Sequence, residues 1–281
     1  MITNPFTYTT PATIAEALTL LDEPDAKLLA GGMSLIPLMK LRLASPESIV
    51  DLSRIQGLDT ITESNGVLTI GAMATHHAVE SSPLIRSKCP LLAECAAHIG
   101  DIQVRNMGTM GGSVAHADPA ADYPAALVAL EAKIHLVSKS GDRTVEASEF
   151  FLDAFTTAME PGEIVVDVQV PVEDASEGYK YEKLAHPASG FPVVGVAVRL
   201  KRQAGKITMA RIGVTGMGPH AFRARNAEAI LESGGDVAAA SAVVGEGEDA
   251  NSDLYANGEY RVHLTRVRAS RALAAALSRA S

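Results

Sequence analysis

The sequence contains very few cysteines. Cys89 and Cys95 are the only two among 281 residues. Two thiols rule out a disulfide scaffold, and they also rule out an iron–sulfur cluster held by cysteines of this chain alone, which needs four thiolates. We therefore expect two small buried residues near a helix that begins at about Pro90.

Positive charge is also scarce. The formal net charge is −9 at pH 7, and binding to a nucleic-acid backbone requires a clustered basic surface. The composition therefore argues against a nucleic-acid partner. The one stretch rich in arginine lies near the C-terminus, and we expect it to form a solvated helix face or a partner contact; it contains Arg261, Arg266, Arg268, Arg271 and Arg279.

Membrane, export and metal signals are missing as well. No apolar run approaches the roughly 20 residues of a transmembrane helix, and residues 1–5 lack the basic and then apolar pattern of a signal peptide. The eight histidines show no H-E-x-x-H or comparable ligand spacing. We expect a cytoplasmic protein with no transmembrane segment and no metal site of its own.

The first 55 residues have a pattern typical of a small αβαβ unit. Thr10 and Pro11 suit the start of a helix, whose apolar residues follow at the spacing of one helical face. Strands are predicted over 26–30 and 48–52, with a helix after residue 34 between them.

The remaining elements predict a larger second unit and a C-terminal module. The second unit has predicted strands over 67–70, 133–138, 143–145 and 163–170, with helices over 75–82, 90–100 and 124–131. Ser140 and Gly141 are typical of a hairpin turn. An acidic, turn-rich stretch over 171–178 marks a domain boundary. Beyond it we predict three antiparallel strands over 179–184, 193–200 and 207–214, and helices over 225–231, 237–244 and 262–277.

Two glycine pairs are the features of the sequence that predict a binding site. Gly31 and Gly32 follow the first predicted strand, and Gly111 and Gly112 lie between Thr109 and Ser113. Glycine lets a backbone approach an anion closely, and successive N–H groups can form an anion-binding concavity. Neither segment matches the G-x-G-x-x-G or P-loop pattern. Together they predict two halves of a clamp for the pyrophosphate of a dinucleotide.

Three stretches resemble the medium, FAD-binding subunit of molybdenum hydroxylases, including the carbon monoxide, aldehyde and xanthine dehydrogenases. They are residues 30–43, residues 99–113 and the Asp118-Pro119-Ala120-Ala121-Asp122 run. Tyr181 to Leu184 fits as well. The resemblance covers nearly the whole chain, and the paired motifs are highly specific.

The resemblance implies an α+β fold. An FAD-binding domain of the vanillyl-alcohol-oxidase (PCMH) type would span 1–174, with subdomains at about 1–55 and 56–174. An α+β domain like the C-terminal domain of carbon monoxide dehydrogenase flavoproteins would span 175–281, with a three-stranded antiparallel sheet and helices.

The resemblance also implies roles for individual residues. Asp122 would bind an FAD hydroxyl, and Ile99 would lie against the flavin or the adenine. Val165 would be an apolar contact, and Lys183 would lie near the pyrimidine end of the isoalloxazine, where an ammonium stabilises the negative charge of reduced flavin. The residues expected to wrap the pyrophosphate are Leu28, Leu29, Ala30, Gly31, Gly32, Met33, Ser34, Leu35, Thr109, Met110, Gly111, Gly112 and Ser113.

Met33 predicts that FAD is bound non-covalently. Related oxidases that attach FAD covalently often use a histidine in the first glycine loop. Met33 stands at that place, and methionine cannot form the bond. No catalytic acid–base pair is expected in this chain.

The leading hypothesis is an electron-transfer subunit. Substrate would be oxidised at a molybdenum cofactor on a large partner, electrons would pass through [2Fe-2S] clusters on a small partner, and FAD here would reduce an external acceptor. The complex would be a dimer of heterotrimers. Two alternatives stay open at this point: a self-contained flavin oxidoreductase with its own substrate pocket, and a flavin-free assembly scaffold.

Overall fold

The computed structural model describes residues 2–281, which form twelve α-helices and fourteen β-strands. The helices are α1 Ile14–Leu20, α2 Leu35–Lys40, α3 His76–Ser81, α4 Pro83–Lys88, α5 Pro90–Ala97, α6 Ile102–Met107, α7 Met110–His116, α8 Tyr123–Ala129, α9 Ala147–Phe150, α10 Arg225–Glu232, α11 Val237–Ala242 and α12 Gly258–Arg279. The strands are β1 Thr7–Thr9, β2 Ala26–Leu29, β3 Ser48–Asp51, β4 Ile61–Ser64, β5 Val67–Gly71, β6 Lys133–Ser138, β7 Gly141–Glu146, β8 Phe151–Asp153, β9 Thr156–Thr157, β10 Ile164–Pro171, β11 Gly178–Ala185, β12 Pro192–Gln203, β13 Lys206–Thr215 and β14 Phe222–Arg223.

The N-terminal unit is a parallel three-stranded sheet in the order β1-β3-β2. The predicted start of α1 at Thr10 and Pro11 is wrong, because the helix begins three residues later. Thr13 is the N-cap and accepts a hydrogen bond from the N–H of Glu16. The Thr13-x-x-Glu16 spacing is that of a capping box, and it outweighs the preference of proline for a first helical turn.

The second unit is built on a five-stranded sheet in the order β4-β5-β10-β6-β7. Its β6–β7 hairpin confirms the predicted turn, with Ser138 opposite Gly141. Strand β10 lies at the centre of the sheet and pairs with both β5 and β6. Helix α8 is buried along its whole length, which places its N-terminal end, at Asp122, in the interior.

The C-terminal module confirms the antiparallel strands and adds a short fourth one, in the order β11-β12-β13-β14. Residues 192–200 of β12 are all buried, because helices cover both faces of this sheet. Two glycines of this sheet allow helices to pack closely against it. A Cβ at Gly213 would lie 2.0 Å from the carbonyl oxygen of Ala125 in α8, and a Cβ at Gly178 would lie 1.9 Å from that of Ala276 in α12.

The expectation of a solvated or partner-binding arginine face is wrong for Arg261. Its side chain is buried and donates hydrogen bonds to the carbonyl oxygens of Val193 and Gly216, at 2.6 and 2.7 Å. Arg261 also pairs with Asp253. The guanidinium therefore fastens α12 to the sheet, because its five donors can serve several acceptors at once.

Both cysteines are free and buried, as predicted. Within residues 2–281, no helix combines the length and the apolar character needed to cross a membrane. The same part of the chain holds no group of three or more histidine, cysteine or acidic side chains placed to bind a metal ion.

Candidate cofactor site

The first glycine segment, residues 30–35, joins β2 to α2 and carries a row of unused backbone donors. None of the N–H groups of residues 31–35 donates a hydrogen bond to an acceptor within residues 2–281. The Ser34 hydroxyl makes no capping bond at the start of α2. Gly32 has φ +71°, a conformation that side chains other than glycine rarely adopt.

These donors fit a buried anion. Gly31 and Gly32 are buried, and a buried backbone N–H without an acceptor costs on the order of 1–3 kcal/mol. Successive N–H groups of this kind form the concavities that bind phosphates. The segment therefore has the shape and the donor set for a pyrophosphate group.

The second glycine segment, residues 109–113, is helical and does not form a loop. It is the start of α7, with Thr109 as the N-cap. The Thr109 hydroxyl accepts a hydrogen bond from the N–H of Gly112, and the Thr109 carbonyl accepts one from Ser113. A threonine followed by small residues favours a capped helix, so the glycine pair forms a helical turn.

The expectation of free backbone donors in the second segment is therefore wrong. The N–H groups of Met110 and Gly111 donate to the carbonyl oxygens of Ala74 and Ala72, at 2.9 and 2.8 Å. A Cβ at Gly111 would lie 2.4 Å from the Cβ of Ala72, so this glycine serves close packing. The Ser113 side chain, at the end of the segment, is partly exposed.

The structure brings the two glycine segments into direct contact. A Cβ at Gly31 would lie 2.1 Å from the carbonyl oxygen of Met107 and 2.7 Å from the Cα of Gly108. A Cβ at Gly112 would lie 3.5 Å from the Cβ of Ala30. Helix α6, which the sequence pattern did not reveal, makes this approach possible because it ends at Met107.

Asp122 and Lys183 also meet, as a buried ion pair between the N-terminal part of the chain and β11. The Lys183 Nζ lies 2.8 Å from Asp122 Oδ1, and each side chain is 3% exposed. Lys183 also donates to the carbonyl oxygen of His98 at 2.8 Å. Burial raises the pKa of Asp122 to about 6, since desolvation outweighs the attraction of the Lys183 charge and the hydrogen bonds from Lys183 and Tyr181.

Tyr181 is a site residue that sequence reasoning did not assign. Its hydroxyl donates to Asp122 Oδ1 at 2.8 Å, and its ring packs edge-on against His98. Residues i and i+2 of a strand face the same side. The position of Tyr181, two residues before Lys183, therefore indicates that both side chains face the same site.

Ile99 and Val165 differ in their accessibility. Ile99 is half-buried just after α5, where its carbonyl accepts a hydrogen bond from Arg105. Val165 is 5% exposed, and the register of β10 with β6 shifts between Val165 and Asp167. Ile99 therefore has a surface that a ring can contact, whereas Val165 belongs mainly to the core.

Two protein-family models match this chain, and together they span most of it. Residues 4–173 match the FAD binding domain in molybdopterin dehydrogenase. Residues 179–276 match the CO dehydrogenase flavoprotein C-terminal domain.

Individual relatives are similar over almost their whole length. The carbon monoxide dehydrogenase medium chain of Hydrogenophaga pseudoflava is 38% identical over 99% of both chains. The 6-hydroxypseudooxynicotine dehydrogenase complex subunit alpha of Paenarthrobacter nicotinovorans is 37% identical over 98% of this chain and 95% of its own. In the solved structure of carbon monoxide dehydrogenase from Hydrogenophaga pseudoflava, one chain matches with a TM-score of 0.97 and 40% identity, over 100% of both chains.

Proposed function

The chain belongs to the FAD-binding medium subunits of the molybdenum hydroxylases, and on that premise we propose which of its residues hold FAD and with what it assembles. The observation that carries the proposal is the row of free N–H groups over residues 31–35. The N–H groups of Gly31 and Gly32 are the informative ones, because both residues are buried and buried backbone N–H groups are almost always paired in native proteins.

The first glycine segment holds the FAD pyrophosphate in this proposal. Its N–H groups supply the donors, and the Ser34 and Ser113 hydroxyls add two more. The second segment acts mainly by its shape, because Gly112 lies against Ala30 and Gly108 lies against Gly31. Leu28, Leu29 and the exposed Met33 complete the wall around the first segment, and Met33 leaves the cofactor without a covalent bond to the chain.

The Asp122–Lys183 pair sets the charge at the flavin end. Asp122 keeps lone pairs for an FAD hydroxyl after it has accepted from Tyr181 and Lys183, because a carboxylate can accept about four hydrogen bonds. Lys183 places an ammonium near the pyrimidine ring, and Ile99 covers one ring face. When bound, FAD supplies the redox chemistry: it takes up electrons from the [2Fe-2S] clusters of a partner subunit and passes them to an external acceptor.

The partners are a large subunit with the molybdenum cofactor and a small subunit with the iron–sulfur clusters. The two cysteines of this chain are buried and free, which supports the placement of the cluster thiolates on another chain. We propose that the complex is a dimer of heterotrimers in the cytoplasm, with an FAD-binding domain over 1–174, subdomains at about 1–55 and 56–174, and a C-terminal domain over 175–281.

A matched pair of glycine variants tests the cofactor site. Gly32 and Gly57 both have positive φ, +71° and +85°, but a Cβ at Gly32 would meet Ile36 whereas a Cβ at Gly57 would meet nothing within 4 Å. Alanine in this conformation costs about 1–2 kcal/mol at either site. We expect Gly32→Ala to lower the FAD content of the purified complex at least about tenfold, and Gly57→Ala to leave it unchanged. Equal FAD content in the two variants would contradict the assignment of the first segment.

A further inference from the structure

His76 lies directly behind the point where the two glycine segments touch. It is the first residue of α3, and its backbone N–H donates to the carbonyl oxygen of Gly108 at 2.9 Å. A Cβ at Gly108 would lie 2.5 Å from His76 Nε2, so the imidazole packs against the bare Cα of Gly108. Imidazole, Gly108 and Gly31 therefore form a stack with no side chain between them.

Packing alone fixes the imidazole. His76 Nδ1 and the Tyr123 hydroxyl are both buried, and neither has a hydrogen-bond partner within residues 2–281. The two rings meet edge-on, with their centroids 5.2 Å apart. Burial, with a smaller effect from Arg105, lowers the pKa of His76 to about 4, so the ring is uncharged at neutral pH and acts by its shape.

We propose that His76 is a positioning residue for FAD. Its imidazole fixes the position of the Gly108 backbone and thereby the position of the first glycine segment. This inference rests on the proposed FAD site. A displacement of Gly108 passes to Gly31 because no side chain lies between them and close-packed interiors transmit strain. The N–H groups over residues 31–35 then no longer converge on one anion.

The geometry predicts that changes at positions 76 and 108 compensate each other. His76→Ala removes the support of Gly108, and Gly108→Ala pushes a methyl group into the imidazole. In the double variant, the methyl group at position 108 occupies part of the space that the ring has left. Each single change raises the Kd for FAD, and the double variant binds FAD more tightly than Gly108→Ala does.

The test is a titration of FAD into the full-length apoprotein, followed by flavin fluorescence and absorbance. We expect His76→Ala and Gly108→Ala to raise Kd at least about tenfold, which corresponds to about 1.4 kcal/mol. His76→Gln, whose amide reaches the place of Nε2, retains Kd within about threefold. The matched control is Val79→Ala, which opens a cavity at a fully buried position on the same helix. We expect this variant to lose about as much stability as His76→Ala and to bind FAD with an unchanged Kd.

The outcomes separate this inference from the function on which it rests. If the unmodified chain binds no FAD, the proposed function fails. If the unmodified chain binds FAD, the inference is overturned when His76→Ala binds as tightly, when Val79→Ala weakens binding as much, or when the double variant binds no better than Gly108→Ala.

Discussion

At the scale of single residues, each glycine of the site has its own reason to be glycine. Gly32 needs its positive φ, while Gly31, Gly108 and Gly111 need to approach a neighbouring backbone or ring closely. The sequence shows only that these residues are glycines. Which atoms an added Cβ would meet at each position depends on the fold. This is why both pairs were predicted to serve the phosphates, and why Gly111 is found to serve packing instead.

The Asp122–Lys183 pair predicts opposite changes in the potential of bound FAD. Lys183→Met removes a cation that stabilises negative charge on the reduced flavin, so the midpoint potential falls. Asp122→Asn removes the anion that offsets this cation, so the potential rises. We expect shifts of tens of millivolts, since about 30 mV corresponds to about 1.4 kcal/mol for a two-electron couple.

Spectroelectrochemistry of the two purified flavoproteins measures these shifts. Lys180→Met is the control, because Lys180 lies on the same strand but pairs with Glu94; its potential should match that of the unmodified protein. Shifts in the same direction for Lys183→Met and Asp122→Asn would mean that the pair does not act on the flavin through its charge.

At the scale of elements, periodicity and capping predicted most helices and strands of the chain. The C-terminal strands and helices lie within a few residues of their predicted bounds, since a long alternating or helical pattern is compatible with only one type of secondary structure. Short elements escaped prediction: β1, β4, α4 and α6 are three to six residues long, too short for a period to stand out. Helix α7 escaped because two glycines disfavour helix formation, whereas its cap and its tertiary contacts stabilise the turn.

The first turn of α7 predicts different outcomes for its two glycines. A Cβ at Gly112 would lie 2.8 Å from the Thr109 hydroxyl and near Ala30, whereas one at Gly111 would press into the backbone of Ala72. Gly112→Val should therefore lose FAD and largely keep its fold, and Gly111→Ala should lose stability. Thermal unfolding and FAD content of both variants check this, and normal FAD binding by Gly112→Val would remove the second segment from the site.

At the scale of the whole molecule, the resemblance indicated the family and the order of the domains, but the contacts between distant segments needed the structure. Asp122 and Lys183 were predicted as separate FAD contacts, and nothing in their spacing shows that they bind each other. The same holds for Gly31 and Gly108, which lie 77 positions apart in the sequence. Side-chain pairing across such separations depends on the path of the chain, which local patterns do not encode.

A buried carboxylic acid between the N-terminal and C-terminal parts of the chain makes the stability of the protein depend on pH. Glu173 is buried, and its carboxylate accepts a hydrogen bond from the N–H of Leu91. Burial raises its pKa from 4.5 to about 7, so between these values the folded protein holds a proton that the unfolded chain releases. The contribution of Glu173 to the free energy of unfolding therefore falls as the pH rises from about 4.5 to about 7.

Glu173→Gln removes this dependence. Compared with the unmodified protein, the variant should gain stability as the pH rises from 5 to 8, by an amount on the order of 2–3 kcal/mol. Urea unfolding at several pH values measures the difference, and the exposed Glu248→Gln is the control. A difference that stays constant across this range would show that Glu173 is ionised in the folded protein.

The central claim is that this chain holds FAD, without a covalent bond, in a complex with molybdenum and iron–sulfur subunits. The most direct measurement is the FAD content of the chain isolated with its native partners, before and after acid precipitation of the protein. We predict one FAD per chain in the complex, all of it released into the supernatant. A complex without flavin, or flavin that stays with the precipitated chain, would contradict the account.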